Sequence, residues 1–167
     1  MPGERSMRKS SLIASITWKD RPAPEAIFSY SIPNSPMEQP PTFDYTVSTS
    51  KDFPSTVAAV QEAIAAAGMR VLHIHDVQAT LAEKGFAREP LKIVEFCSAK
   101  FANEFLNIDV KIGLCLPCKI NVYTKDGQTF ISGMRPIILS MFFPNADLGS
   151  KPEEVDTIIR SIIDRAK

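Results

Sequence analysis

Two alternating runs, from Lys119 to Thr124 and from Gln128 to Ser132, flank Lys125-Asp126-Gly127. Asp-Gly supplies the positive φ angles of a tight hairpin turn, and a period of two on either side belongs to strands with one wet and one dry face. The two runs therefore pair antiparallel. Parity assigns the faces: Cys118, Ile120 and Val122 point to the apolar side, whereas Lys119, Asn121 and Tyr123 point away. A chain containing this hairpin has to provide an apolar layer for one side of a sheet, which narrows the fold classes at once.

The other segments supply more sheet and that layer. Phe43 to Thr49 alternates, with Phe43, Tyr45 and Val47 expected on the buried face. Asp52 is placed to cap a helix that tolerates Pro54 in its first turn, carries an inner stripe of Val57, Val60, Gln61 and Ile64, and stops at Gly68. A strand from Met69 to Val77 is expected to bury Leu72 and Ile74 and to present His73 and His75 together on the opposite face. A short helix from Asp76 to Lys84, stopped by Gly85, leads to a third strand, Pro90 to Cys97, and then to a helix from Ala99 to Leu106. Near the end, Ser150-Lys151-Pro152-Glu153 has the capping-box pattern, and Val155, Ile158, Ile159, Ile162 and Ile163 form an apolar stripe that must lie across a sheet. The class is α+β, an antiparallel sheet with helices packed on one side.

Seven of the thirteen prolines fall within residues 1–41, which carry no sustained helical or strand period. We read this stretch as a Pro-rich N-terminal extension, with Ala26 to Ile32 as a short strand candidate within it, and residues 42–167 as the domain. Nineteen basic and nineteen acidic residues cancel, so no global field favours nucleic acid or an anionic membrane. The longest apolar runs fall well short of a bilayer span. The basic-then-apolar run Met7 to Ile16 is ended by Trp18-Lys19-Asp20-Arg21 too early for a secretory core, and an odd count of three cysteines does not make a secreted disulfide framework. The expected location is the cytoplasm.

The chemistry-bearing residues are the cysteines. Cys115-Leu116-Pro117-Cys118 puts two thiols within reach of one disulfide or one soft metal ion. This CxxC opens a strand, unlike a thioredoxin-type motif at a helix start, so helix-dipole activation is not expected of it. Cys97 stands at a strand-to-helix junction, where exposed amides would stabilise a thiolate. All three also suit plain core packing. The secondary polar candidates are His73, His75, Asp76 and Glu95, which would have to converge to bind a metal or to perform acid–base chemistry. Met134, Met141, Phe142 and Phe143 belong to an apolar segment suited to a deep core, a subunit contact or a pocket wall.

Phe53 to Gly68, the strand Val71 to Val77, Leu81 to Gly85, Glu95-Phe96-Cys97-Ser98 and Ile112 to Cys118, in that order, resemble the family called domain of unknown function 302 (DUF302) over roughly residues 43–166. The resemblance implies a TATA-binding-protein-like fold, with a curved antiparallel sheet and helices on one side, paired as a homodimer. It also implies that Cys97 and Cys118 approach one another. Where the family has Asn-Pro after its first cysteine, this chain has Ser98-Ala99, and Cys115 replaces a usual aliphatic residue. No activity comes with the resemblance. The reading placed first is therefore a thiol-based role, redox or soft-metal binding, through Cys97, Cys115 and Cys118. The alternative is a non-catalytic homodimeric binding or assembly module with structural cysteines and a small apolar ligand. A hydrolytic enzyme comes last, since nucleophile-elbow, phosphate-loop and zinc-protease patterns are all missing.

Overall fold

The structure, a computed structural model, describes residues 42–167. The extension read over residues 1–41, with its strand candidate, lies outside the described residues. The elements follow in the order β1 (Asp44–Thr49), α1 (Phe53–Ala66), β2 (Arg70–Asp76), α2 (Val77–Ala82), β3 (Leu91–Cys97), α3 (Ala99–Ile108), a 3-10 turn (Val110–Cys115), β4 (Cys118–Lys125), β5 (Gln128–Met134), a second 3-10 turn (Pro136–Ile138), α4 (Leu139–Phe142) and α5 (Lys151–Ala166). Local chemistry sets several of these boundaries. The Asp52 carboxylate accepts a hydrogen bond from the Ser55 amide at 2.7 Å, starting α1, and Gly68 ends that helix at φ 72°. The hairpin turn has Asp126 and Gly127 at φ 52° and 76°. These are the angles its Asp-Gly sequence favours.

The five strands form one antiparallel sheet in the order β1-β5-β4-β3-β2. Tyr45, Val47, Ile131, Ile120, Val122, Val94 and Phe96 belong to its covered side, packed with the inner stripes of α1 and α5. The α5 stripe is nearly solvent-free at Val155, Ile159, Ile162, Ile163 and Ala166. α5 reaches this depth because β5 carries Gly133. A Cβ at that position would stand 3.0 Å from Ile163 Cδ1 and 3.2 Å from Ile159 Cγ2, closer than packed carbon atoms sit.

A second tie holds the same two elements. Arg135, just after β5, donates from Nε to Asp156 Oδ1 at 3.0 Å and from a terminal nitrogen to Oδ2 at 2.8 Å. Asp156 is buried on α5, so this two-pronged bond satisfies a carboxylate that has little access to water. The carboxylate raises the guanidinium pKa still further above its ordinary value.

Three expectations need correction. Leu72 is not buried but 53% exposed, because a register shift between Val71 and His73 resets the parity; Val71 packs on the core in its place, and Ile74 packs there as expected. Phe43 lies just before β1 and is 61% exposed. Ser150 precedes α5 but its side chain makes no capping bond, so the capping box does not form; the Ser150 carbonyl accepts from the Glu154 amide. Among the described residues, no helix is long and apolar enough to cross a membrane.

Two stability predictions follow from the β5–α5 contact. Gly133→Val should lower unfolding free energy by about 1–3 kcal/mol through overpacking, read by urea denaturation. Asp156→Ala should cost more, about 3–5 kcal/mol, because it strands a largely buried guanidinium. A change below roughly 0.5 kcal/mol in either experiment would contradict the packing described.

Candidate functional site

The side of the sheet away from α1 and α5 carries Thr46 and Ser48 of β1, Phe130, Ser132 and Met134 of β5, Lys119, Asn121 and Tyr123 of β4, Ile93 and Glu95 of β3, and His73 and His75 of β2. None of them is fully buried. Tyr123 and Phe130 stack across β4 and β5 with ring centroids 5.3 Å apart. Toward the end of the sheet where β4 begins and β5 ends, this face sinks into a groove of about 390 Å³. Its apolar lining comes from Phe43, Ile93, Leu114, Pro117, Met134 and the Cys115 side chain, and its polar points are Asp44, Lys119, Asn121 and Ser132. Of these residues the sequence marks Met134 as a pocket candidate and Cys115 as a thiol candidate, but not the others. The signal available was parity: Lys119 and Asn121 face away from the core.

The three cysteines cluster at this same end. Phe96 and Cys118 are register partners on β3 and β4, with Cys118 facing the core beside Phe96. Cys97 is the next residue on β3 and Cys115 closes the 3-10 turn before the cis Leu116–Pro117 bond. All three are free thiols and partly buried.

The polar candidates divide. His75 Nε2 lies 3.3 Å from Glu95 Oε1, and the His73 and His75 rings meet edge-on at 4.4 Å. Asp76 does not join them: it accepts from the Ala79 amide at 2.9 Å, which caps α2 and holds its carboxyl below the usual range, and it pairs with Lys92 at 3.4 Å. Among the described residues, no three His, Cys, Asp or Glu side chains are grouped to hold a metal ion. The apolar candidates divide too. Met134 lines the groove, Phe142 and Phe143 border a separate hollow near Ile108 and Lys111, and Met141 is 60% exposed.

The family model described as domain of unknown function DUF302 matches residues 45–166. The chain belongs to the DUF302 family. Among solved structures it is similar to the crystal structure of an uncharacterized conserved DUF302 protein from Bacillus stearothermophilus, with 29% identity and a TM-score of 0.72, covering 76% of this chain and all of that one. No curated protein matches. DUF302 membership establishes the α+β fold and brings no specific activity with it.

Within this DUF302 domain two of the thiols, Cys97 and Cys118, are held toward their neutral forms. Burial pushes Cys118 up to about 11 from an ordinary 9.0; the charge that Cys97 would carry adds to the rise, Lys119 opposes it, and Cys115 adds a smaller push. Cys97 is also raised, by burial first, with a backbone hydrogen bond at Ser98 pulling the other way. The expected helix-start activation is thus outweighed: Ser98 rather than Cys97 occupies the cap of α3, and the Cys97 thiol donates to the Ser98 carbonyl at 3.6 Å. A raised thiol pKa favours the folded state only while the unfolded thiol stays protonated. The stability contributed by Cys118 should therefore be intact below pH 9 and be lost as pH rises toward about 11. Across that window the gap between wild type and Cys118→Ala should narrow by roughly 2–3 kcal/mol in urea titrations. Parallel curves would refute the burial of this thiol.

Proposed function

We propose that this DUF302 domain is a non-catalytic binding module that takes a small, mainly apolar molecule in the groove on the face of its sheet opposite α1 and α5. The observation that carries the proposal is the groove itself, whose volume of about 390 Å³ lies in the usual range for small-ligand sites. Its composition supports the same reading. Apolar walls supply affinity by removing hydrocarbon from water, and the few polar groups, Lys119, Asn121 and Ser132, can orient one polar end of the guest. Pairing of two copies belongs to the proposal on the strength of the family resemblance.

A thiol redox role is the second reading, favoured by the gathering of Cys97, Cys115 and Cys118 at one end of the sheet. Disulfide exchange proceeds through a thiolate, and burial works against that form at both Cys97 and Cys118. The binding role needs no ionised thiol.

A neutral naphthylamine fluorophore provides the test. Saturable binding with a blue-shifted emission is expected for wild type, accompanied by a rise in Tm. Ile93→Arg, which brings a guanidinium into the groove, should weaken that binding by about tenfold or more while leaving Tm of the free protein unchanged. Non-saturable uptake, or equal binding by the variant, would overturn the proposal.

A further inference from the structure

On the core side of the groove wall lies a small, partly enclosed void of about 20 Å³. Three of the residues that line it, Cys115, Cys118 and Met134, carry sulfur, and the others, such as Phe105, Ile112 and Val155, have hydrocarbon side chains. No side-chain nitrogen or oxygen borders it. A space of this size has room for about one water-sized body, but an apolar lining gives water no hydrogen-bond partners. Cys115 and Met134 also line the groove, so these two side chains form the partition between an open surface and the void.

We infer that Cys115, Cys118 and Met134 form a three-coordinate site for a soft monovalent metal ion, of the copper(I) or silver(I) class, reached from the groove. The donor set selects the ion. Thiolate and thioether sulfurs prefer soft cations, whereas magnesium, calcium and manganese seek the oxygen donors that the lining lacks. Zinc ordinarily takes four ligands, and only three sulfur-bearing residues line the void. The binding step balances without electron transfer. The cation forms bonds to the two cysteine sulfurs as both S–H bonds break, two protons leave to solvent, and Met134 donates a lone pair from its neutral sulfur. The resulting centre carries one negative charge, and the Lys119 ammonium beside the groove supplies the compensating field. Cys97 is no part of this set, because it does not border the void.

This inference does not depend on the apolar-ligand proposal, and its test has a separate readout. Reduced full-length protein is titrated with copper(I) under nitrogen against a chromophoric copper(I) chelator, and the loaded protein is weighed by native mass spectrometry. One cation per chain is expected, with a sulfur-only shell in X-ray absorption. Cys115→Val and Met134→Leu, which keep an apolar side chain of similar size, should each lose at least the roughly tenfold in affinity that removal of even a supporting residue costs a metal site. Cys97→Ala should bind as wild type does. Circular dichroism and Tm report whether each variant is folded, and Met134→Leu alone decides the question if the cysteine variant is not. Absence of copper(I) binding by wild type, wild-type affinity in folded Met134→Leu, or loss of binding in Cys97→Ala would each overturn the assignment.

Discussion

The fold depends on how closely α5 can approach β5. The isoleucine stripe of the helix has to bury itself against a sheet, and Gly133 opens a place where Ile159 and Ile163 settle almost onto the strand backbone. Apolar burial at about 25 cal/mol per Å² makes such a stripe the main contributor to the layer, but only if the surfaces interlock without a gap. α1, with Val60 and Ile64 free of solvent, completes the same layer beside α5. Among the described residues the two long helices lie over one face of the five strands, and the groove lies on the other.

The end of β5 concentrates three different tasks in three consecutive residues. Gly133 admits α5, Met134 lines both the groove and the sulfur-bordered void, and Arg135 grips Asp156 on α5. The strand stops here, so Met134 is not confined to one face by neighbours on both sides, and its unbranched thioether can fill an irregular partition. The Arg135–Asp156 bond fixes the chain direction immediately afterwards. A charge pair so little exposed adds limited net stability after desolvation, but it penalises any arrangement in which the two groups fail to meet. Groove and void thus owe their position to the same contact that anchors the last helix.

Much of this architecture was legible in the sequence, and the misses have identifiable causes. The hairpin at Asp126-Gly127, the Asp52 cap and the α5 stripe are local patterns, and the structure contains each of them. Leu72 was misplaced because one bulged residue in β2 reverses the faces behind it, and no residue in Arg70 to Ile74 is a glycine that would signal it. Ser150 matched a capping box, but its backbone at ψ 5° is not the extended conformation from which a serine hydroxyl reaches the third amide. The groove was hidden for a different reason: its lining comes from Phe43, Ile93, Leu114 and Met134, which lie on separate elements, and only the sheet order brings them together. Membership of DUF302 was readable from the ordered segments around Cys97 and Cys118, since those are sequence patterns as much as structural ones.

The environment of Cys97 and Cys118 is the reason for proposing a role in binding ahead of a role in turnover. A catalytic thiol needs its thiolate stabilised in advance by a helix terminus, a cation or a histidine. Here Cys118 faces hydrocarbon, Lys119 is the one cation that opposes its rise, and His75 is already directed at Glu95 across the neighbouring strand. Desolvation that suppresses ionisation has the opposite meaning for a guest that brings its own driving force. An apolar molecule gains from the same dry walls, and a soft cation displaces the thiol protons through metal–sulfur bonds that hydrocarbon surroundings do not weaken by competition with water. The burial that disfavours the thiolates of Cys97 and Cys118 is therefore the feature on which the binding proposal rests.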